Sequence, residues 1–461
     1  MKSAVSLVTS VILIIAFLIS NIHCTTQPKI ASGKVQSESK LRELLAQSKP
    51  GDTVLIPGGI YYLSEPIVIQ SIGRKDAWIT IMPKPGEKVI FDGSNYLASF
   101  DSVKHNKRLF HSGIITFKGA KYVKLRNIKV QNSHAIGILV TGKNTSHIEL
   151  INCQAEGSYN SGIGLWYADS CKILNCEVTK ANDIERIPAG LQKPSEAPHE
   201  AISIAGATHF EVAHNLVHDG FKEGIDVKEV SAYGEVHHNK VYNMPRQGLY
   251  VDCWFGRLHQ VEFHHNEAYN CEWGMAVSAE DKKSSMDSIF IHHNLLYDNR
   301  ASGVLISSWG ENEKRNHIYV YNNTIVNNGS SNHWAGLTGG IDIRSRNISN
   351  VFIYNNITAY NYGFAVSSLI EPSALKEVFQ KQNIVVTHNL EWQVNTPNKE
   401  SSNNPAFPPA IPMKGSLSIN ADPQFKNRRQ SDFHPSQNAP FINKAWKDSP
   451  FGKSINIGAL E

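Results

Sequence analysis

Four short stretches in the middle of the chain decide the fold: VAHN at 212–215, VHHN at 236–239, FHHN at 263–266 and IHHN at 291–294. Each ends an apolar strand on an asparagine. Aligned in the same way, further strands end on Asn127, Asn152, Asn175, Asn323 and Asn356. Neighbouring asparagines in this alignment are 23 (152 to 175) to 40 (175 to 215) residues apart, and most intervals are near 25.

A second apolar strand, led by glycine, follows in most of these repeats. The glycines are Gly137, Gly162, Gly224, Gly248, Gly274, Gly303 and Gly340. Short strands with period-2 alternation, Asn and Gly at the turns and a repeat of about 25 residues are typical of a solenoid of β-coils. We therefore predict an all-β fold, a single-stranded right-handed parallel β-helix.

Composition agrees with one solenoid. The 461 residues carry 45 Lys and Arg against 41 Asp and Glu, a net charge of +4, and 41% are hydrophobic. So small an excess gives no reason to expect a nucleic-acid partner. Length alone suggests about three domains, but stacked coils need no separate cores. We predict one β-helix domain over residues 25–461, with an irregular, Pro-, Asn- and Ser-rich segment from about 371 to 461.

The first 24 residues read as an export signal. A short basic start precedes an apolar run from Val5 to Ile19, which is short for a membrane span, and a polar region follows it. We expect an exported protein, periplasmic or secreted, with no transmembrane segment after removal of the signal. A lipoprotein anchored through Cys24 is the less favoured alternative. The remaining five cysteines are an odd number, so they do not form a complete disulfide framework, although one pair is allowed.

The ends and the histidines receive structural interpretations. Residues 37–48 (SESKLRELLAQS) predict an amphipathic capping helix with Ser37 or Ser39 as its N-cap. The chain has 20 histidines, and many precede the repeat asparagines in two columns. One column is His214, His238, His265 and His293, and the other is His237, His264 and His292. Positions filled in the same way in successive coils favour stacked ladders over metal ligands.

The ends of the chain also carry a family resemblance. PGDT at 50–53, GGIY at 58–61 and NIGA at 456–459 resemble the pectin-lyase-like β-helix superfamily. The N-terminal cap is similar to that of the alginate lyase and chondroitinase B family. The resemblance implies uronate polysaccharide lyases and related oligosaccharide dehydratases, which use a lysine base, an arginine partner and often calcium. The sequence contains neither the Asp-Pro-His-Asp motif of mannuronan epimerases nor the catalytic set of polygalacturonases.

Alternation along the glycine-led strands predicts which side chains point outward. In the middle coils these concentrate acids, Lys, Tyr and Trp, whereas outer coils place residues such as Leu139 and Leu305 there. The insertion at 183–198 lies beside this stretch, where it would border a cleft. The candidate catalytic residues are Lys228, Tyr250, His199 and Arg246, the candidate substrate-binding residues Arg257, Trp254, Arg344 and Trp166, and the candidate metal ligands Asp226, Asp252, Glu200 and Glu280.

This patch has the groups needed for β-elimination from a uronate: a base, a cation for the carboxylate and an acid for the leaving oxygen. Lys228 is the candidate base, although Asp226 and Asp252 would keep it charged. A Ca²⁺ ion bound by these acids would remove that objection, so Ca²⁺ is the expected cofactor. Tyr250 or His199 would be the acid. The expected partner is an anionic polysaccharide or oligosaccharide, containing uronate and in some cases sulfate.

Alternatives stay open at this stage. Elimination expels either a sugar, in a polysaccharide lyase, or water, in a dehydratase. A glycoside hydrolase would use Asp226 with Asp252, on adjacent coils about 5 Å apart, or Asp226 with Glu280. A third class is a glycan-binding β-helix, which binds glycan without turnover. The structural alternative is that these charged side chains are only a solvated face.

Overall fold

The computed structural model describes residues 34–96, 112–187, 193, 195–310, 313–330, 339–368, 381–392, 411–413, 415–452 and 454–460. The export signal and Cys24 lie outside the described residues. No helix in the described ranges is long and apolar enough to cross a membrane. The described residues contain the helix α1 (Glu38–Ala46), two 3-10 helices (Ile184–Arg186 and Arg428–Gln430) and the strands β1 to β36.

The strands recur in groups of three. The first twenty are β1 (Thr53–Ile56), β2 (Gly59–Tyr62), β3 (Ile67–Ile69), β4 (Ile79–Pro83), β5 (Val89–Asp92), β6 (Gly113–Lys118), β7 (Lys121–Arg126), β8 (Ile128–Ser133), β9 (Ile136–Thr141), β10 (Ser146–Ile151), β11 (Gln154–Ser158), β12 (Ile163–Trp166), β13 (Lys172–Leu174), β14 (Glu177–Ala181), β15 (Ile202–Ala205), β16 (Glu211–Ala213), β17 (Leu216–His218), β18 (Ile225–Lys228), β19 (Ala232–His237) and β20 (Lys240–Tyr242). The others are β21 (Gln247–His264), β22 (Glu267–Tyr269), β23 (Trp273–His292), β24 (Leu295–Tyr297), β25 (Val304–Ile306), β26 (Lys314–Tyr321), β27 (Thr324–Val326), β28 (Ile341–Ile343), β29 (Ile348–Tyr354), β30 (Ile357–Ala359), β31 (Val366–Ser368), β32 (Ile384–Thr387), β33 (Leu390–Trp392), β34 (Ile411–Pro412), β35 (Phe425–Asn427) and β36 (Asp432–Pro435).

Each coil contributes one strand to each of three parallel layers. The ladder sheet begins β1, β4, β7, the flank sheet β2, β5, β8, and the cleft sheet β3, β6, β9. The long strands β21 and β23 belong to both the ladder sheet and the cleft sheet, which therefore count as one 22-stranded sheet beside the 12-stranded flank sheet. Isoleucine, valine and leucine of the three layers point inward and form one continuous core. The prediction of a right-handed parallel β-helix with an N-terminal capping helix is confirmed.

The capping helix covers the first coil. Ser37 is its N-cap, as predicted, and its hydroxyl accepts a hydrogen bond from the Lys40 amide at 3.4 Å. Leu41 and Leu45 are buried, so the apolar face of the helix extends the core beyond the first strands. At this end the helix shields apolar side chains that no earlier coil covers.

A buried asparagine ladder runs through the middle and late coils, and it corrects the predicted alignment. Its members are Asn215, Asn239, Asn266, Asn294, Asn323, Asn356 and Asn389, and each amide donates to the side-chain oxygen of the next at 2.9–3.0 Å. Register places Asn175 level with His214, one residue before the ladder, and Asn152 and Asn127 align with Asn175. These three have φ of 53–57°, the left-handed region. Asparagine suits both positions, since it tolerates the left-handed backbone of one and its side-chain amide forms the hydrogen bonds of the ladder at the other. The alignment by sequence therefore treated the two positions as one.

The histidine columns are stacked, as predicted. The ring centroids of His237 and His264 are 4.8 Å apart and the ring planes are nearly parallel, and the centroids of His238 and His265 are 4.9 Å apart. Burial, followed by the neighbouring imidazoles, lowers the pKa of His264 and His293 to about 3. These rings are therefore neutral at neutral pH and stack without mutual repulsion.

The segment predicted to be irregular is partly regular. Strands β32 and β33 continue the coils, and Asn389 between them extends the asparagine ladder. After them the chain returns along the flank sheet, where Phe433 packs on Tyr297 and Phe441 on Ile357. The five cysteines at 153, 171, 176, 253 and 271 are buried free thiols.

Candidate functional site

A cleft of about 470 Å³ lies on the outward side of the middle coils of the cleft sheet. It contains eight of the predicted site residues: His199, Glu200, Lys228, Arg246, Tyr250, Asp252, Trp254 and Glu280. It also contains four residues that the sequence analysis did not single out: Glu196, Lys222, Glu223 and Trp309. Glu196 belongs to the insertion at 183–198, which therefore borders the cleft as predicted.

The register of β15, β18 and β21 brings these side chains together. Lys228 pairs with Asp252, and Asp226 pairs with Tyr250. The prediction that Asp226 and Asp252 face each other on adjacent coils is therefore wrong. They are offset by two residues along the strand, which separates their Cα atoms by about 8 Å at a rise of about 3.3 Å per residue and a strand spacing of about 4.8 Å.

Lys228 is the central cation of the cleft. Its side chain is 10% exposed, and its Nζ donates to Glu200 Oε1 at 2.7 Å and lies 3.2 Å from His199 Nδ1. Burial by itself lowers the pKa of Lys228, but Glu200, Asp226 and Asp252 outweigh burial and raise it above its ordinary value. In this arrangement Lys228 is an ammonium ion and not a base.

The surrounding carboxylates respond in opposite directions. Burial raises the pKa of Glu200, yet the positive charges of Lys228, His199 and Lys222 prevail and lower it to about 2. Burial, followed by the charges of other acids, raises the pKa of Asp226 and of Asp252 well above its usual range. The cleft therefore holds more buried carboxyl groups than its cations compensate.

Five buried oxygen atoms, three on residues that line the cleft and two on the neighbouring strand residues Asp226 and Gln247, make no hydrogen bond within the described part of the chain. They are Glu200 Oε2, Glu223 Oε2, Asp226 Oδ1, Gln247 Oε1 and Asp252 Oδ1. An unbonded buried carboxylate or amide oxygen is costly, and calcium takes six to eight such oxygen ligands. The donor set therefore fits Ca²⁺ chemically. The described groups that already bring three His or acidic ligand atoms within 4.8 Å of one another lie elsewhere, in the histidine columns, so the acids around Lys228 would have to rotate to bind one ion.

Tyr250 and Glu280 form a second pair in the cleft. Tyr250 is buried, and its hydroxyl donates a hydrogen bond to Glu280 Oε1. Burial and the charges of Asp252 and Glu280 raise the pKa of Tyr250 well above its ordinary value. The phenol therefore keeps its proton, which suits a general acid. Trp309 packs edge-on against the Tyr250 ring at 6.2 Å and fixes its orientation.

Arg246 is tied to two acids at the cleft margin. Its Nη1 is 2.9 Å from Glu196 Oε2, and its Nε is 3.0 Å from Glu223 Oε1. Arg246 thus joins the insertion to the cleft residue Glu223, and two of its three guanidinium nitrogens already pair with protein carboxylates.

Four predicted residues lie outside the cleft lining: Arg344, Arg257, Trp166 and Asp226. Arg344 is buried and pairs at 2.7 Å with Asp342, which lies two residues earlier, in β28. Arg257 lies within the continuous strand β21, not on a turn, and its Nη2 is 3.5 Å from Asp287 Oδ2. Trp166 is buried against the ring of His199, at 4.7 Å. Its position supports His199 and not a sugar ring.

Trp254 is the exposed aromatic residue of the cleft. It is 51% exposed, and its indole nitrogen donates to Asp252 Oδ2 at 3.0 Å. Asp226, in contrast, is buried and is not part of the lining. The predicted outward side chains thus lie outside the coil lumen, but insertion and neighbouring coils cover most of them.

The missed residues follow a column that the sequence contains. Ile202 pairs with Ile225 and Ile225 with Leu249, so His199 is level with Lys222 and Arg246. By the same register Glu200 is level with Glu223 and Gln247. His199 and Glu200 precede β15 by two to three residues. Lys222 and Glu223 occupy the same positions ahead of β18 in the next coil, and this equivalence identifies them.

Comparison with known proteins agrees with this architecture. Residues 24–221 match the family model of a Pel9A-like right-handed β-helix region. No curated protein matches the chain.

Among solved structures, a mannuronic acid specific family 6 polysaccharide lyase from human gut microbiota is 12% identical, with a TM-score of 0.51 over 85% of this chain and 92% of that one. Pectate lyase Pel9A is 15% identical, with a TM-score of 0.48 over 91% and 90%. Endo-xylogalacturonan hydrolase from Aspergillus tubingensis is 9% identical, with a TM-score of 0.46 over 82% and 95%. The resemblance to β-helix polysaccharide lyases is thus confirmed for the fold.

Proposed function

We propose that the protein is an exported carbon–oxygen lyase that acts by β-elimination on uronate-containing polysaccharides or oligosaccharides. The observation that carries the proposal is the buried Lys228, which lies in a cleft large enough for sugar units, among acids with buried oxygens that make no hydrogen bond. The family match and the lyases among the structural neighbours support it.

Charge explains why a cation belongs to the proposal. The cleft lining has five acidic side chains and three cationic ones, so on its own it repels a uronate carboxylate. Bound Ca²⁺ would supply positive charge that attracts this carboxylate and stabilises the charge that develops on it during elimination. Glu200, Glu223, Asp226, Asp252 and the Gln247 carbonyl are the residues that would hold the ion.

Lys228 is the proposed base for the C5 proton. Once the charges of the neighbouring acids are compensated, they no longer raise the pKa of Lys228, and burial, which lowers it, prevails. The amine is then able to accept a proton, and His199, 3.2 Å from Nζ, orients it.

Tyr250 is the proposed acid for the oxygen that leaves from C4. It keeps its proton because its pKa is raised, and Glu280, its hydrogen-bond acceptor, holds the hydroxyl in place. Trp254, exposed at the same cleft, offers its ring to a neighbouring sugar.

A glycoside hydrolase is the second candidate, because the raised pKa of Asp226 and of Asp252 is the property of a general acid. The two residues lie on neighbouring strands, β18 and β21, with an offset of two residues, and a hydrolase needs a pair of nearby carboxyl groups.

The reaction class is tested with purified protein and a panel of uronate polysaccharides and short uronate-ended oligomers, with CaCl₂ or with EDTA. The proposal predicts an unsaturated uronate, seen by ultraviolet absorbance, in the calcium samples only. Product mass then separates a lyase, which cleaves the chain, from a dehydratase, which removes one water without cleavage. New reducing ends without absorbance would replace the proposal by the hydrolase, and glycan binding without turnover would replace it by a binding protein.

A further inference from the structure

The histidine columns form a second polar cluster, separate from the cleft lining. Histidines that are neighbours in sequence face each other through their Nδ1 atoms in three successive coils. The Nδ1–Nδ1 distances are 2.8 Å for His237 and His238, 2.8 Å for His264 and His265, and 2.7 Å for His292 and His293. At such a distance one nitrogen is a donor and the other offers a lone pair.

Stacking brings nitrogen atoms of successive coils together. Two groups of three imidazoles have ligand atoms within 4.8 Å of one another: His214 with His237 and His238, and His238 with His264 and His265. His238 belongs to both groups. Its side chain and those of His214 and His265 are exposed, so a metal ion reaches them from solvent.

Carboxylates lie beside two histidines, His237 and His292, of the column formed by His237, His264 and His292. Glu211 Oε1 is 3.4 Å from His237 Nε2, and Glu262 bonds the Nε2 of His292. A carboxylate on the far ring nitrogen places the proton there and turns the lone pair of Nδ1 towards the neighbouring histidine. Metal-binding histidines in proteins are oriented by the same arrangement.

We propose that the histidine ladder binds one divalent transition-metal ion, such as Zn²⁺, through His238 and two neighbouring imidazoles. Imidazole nitrogens suit zinc, copper and nickel, whereas the oxygen donors of the cleft suit calcium. Zinc–nitrogen bonds of about 2.0–2.1 Å in a tetrahedral site put two ligand nitrogens about 3.3 Å apart. The 2.8 Å pair therefore opens by about half an ångström, a small rotation of one exposed ring and one half-buried ring.

Such an ion would link neighbouring coils. His214 follows β16, His237 and His238 lie at the end of β19, and His264 ends β21. An ion shared among them ties side chains of adjacent turns together, so we expect it to raise the resistance of the middle coils to unfolding. The cysteines at 153, 171, 176, 253 and 271 are buried and do not compete for it.

His238→Asn tests the proposal, with His293→Asn as the matched control. Both positions belong to one column with left-handed backbone, and Asn175, Asn322 and Asn355 already occupy this column in other coils. Asparagine therefore keeps the fold, which circular dichroism checks. His293 belongs to neither group of three imidazoles.

Zinc binding is measured by equilibrium dialysis with excess CaCl₂, which saturates the carboxylate cleft. We expect one tightly bound Zn²⁺ per wild-type chain, at least a 100-fold weaker affinity in His238→Asn and less than a 3-fold change in His293→Asn. Absence of saturable binding to the wild type overturns the proposal. Unchanged binding in His238→Asn, or equal loss in both variants, also overturns it, because His238 would then not be the shared ligand.

Discussion

Replacement of Lys228 by methionine tests the electrostatics of the cleft. Methionine keeps the length of the side chain but removes the charged ammonium group, which donates a hydrogen bond to Glu200 at 2.7 Å. The pKa of Glu200 is held at about 2, against an ordinary 4.5, and a shift of this size corresponds to about 3 kcal/mol. Removal of one partner from a buried ion pair costs about 3–5 kcal/mol by a separate line of reasoning, so both arguments give the same range.

The pH dependence of this loss has a definite sign. A carboxyl whose pKa is lowered in the folded state stabilises the protein above its unfolded pKa, and the contribution is lost as the pH falls through the folded pKa. The Glu200 contribution is therefore complete above about pH 5 and disappears towards pH 2. In Lys228→Met the largest of these positive charges is lost, so burial weighs more against the charges of His199 and Lys222 and the pKa of Glu200 rises. The variant therefore loses most stability at neutral pH.

Urea unfolding, followed by circular dichroism in EDTA at pH 7.5 and at pH 4, measures this effect. We expect the free energy of unfolding of Lys228→Met to be about 3–5 kcal/mol below that of the wild type at pH 7.5, and the gap to narrow at pH 4. Addition of CaCl₂ should stabilise the variant more than the wild type, because the unpaired acids then gain a counter-ion. Equal stability of the two proteins at pH 7.5 would refute the ion-pair account.

Two further predictions concern the ladder and the proposed acid. Asn266→Ala removes a side chain that makes hydrogen bonds with Asn239, Asn294 and the Val236 carbonyl. We expect the free energy of unfolding in urea to fall by about 3 kcal/mol or more, since several buried partners lose their hydrogen bonds together. A fall below about 1 kcal/mol would contradict a stabilising role of the ladder. Tyr250→Phe removes only the hydroxyl that Glu280 accepts, and we expect kcat to fall about 10²–10⁴-fold with little change in KM. A change confined to KM would show that Tyr250 binds substrate without acting as an acid.

The fold could be predicted because its signals are local and repeated. Inward apolar residues at period 2, glycine-led strands and a repeat near 25 residues each reflect the geometry of one coil, and every coil repeats them. The exact frame was harder, since Asn175 and Asn215 are the same residue type at neighbouring positions of the coil. A left-handed backbone at one and a buried amide ladder at the other both favour asparagine, and only the register separates them.

The candidate site could be predicted in composition but not in pairing. Alternation alone identified Lys228, Tyr250 and Asp252 as outward residues, and the cleft contains all three. Alternation does not fix which residues of neighbouring coils pair, however. Asp252 pairs with Lys228, two residues along the strand from Asp226. Burial was also beyond the sequence, because the depth of the cleft depends on how the insertion and the neighbouring coils pack.

The role of Lys228 as the base is tested most directly by comparing Lys228→Arg with Lys222→Arg in the ultraviolet assay. The assay contains CaCl₂ and the best substrate of the panel. Arginine keeps the positive charge beside Glu200 but does not lose its proton, so it preserves the ion pair and removes the base. Lys222 lies in the same cleft, 3.7 Å from Glu223, without a proposed catalytic role. We predict that unsaturated uronate forms at least about 10³-fold more slowly than in the wild type for Lys228→Arg, and within about 10-fold of the wild-type rate for Lys222→Arg. Full formation of unsaturated uronate by Lys228→Arg would contradict it.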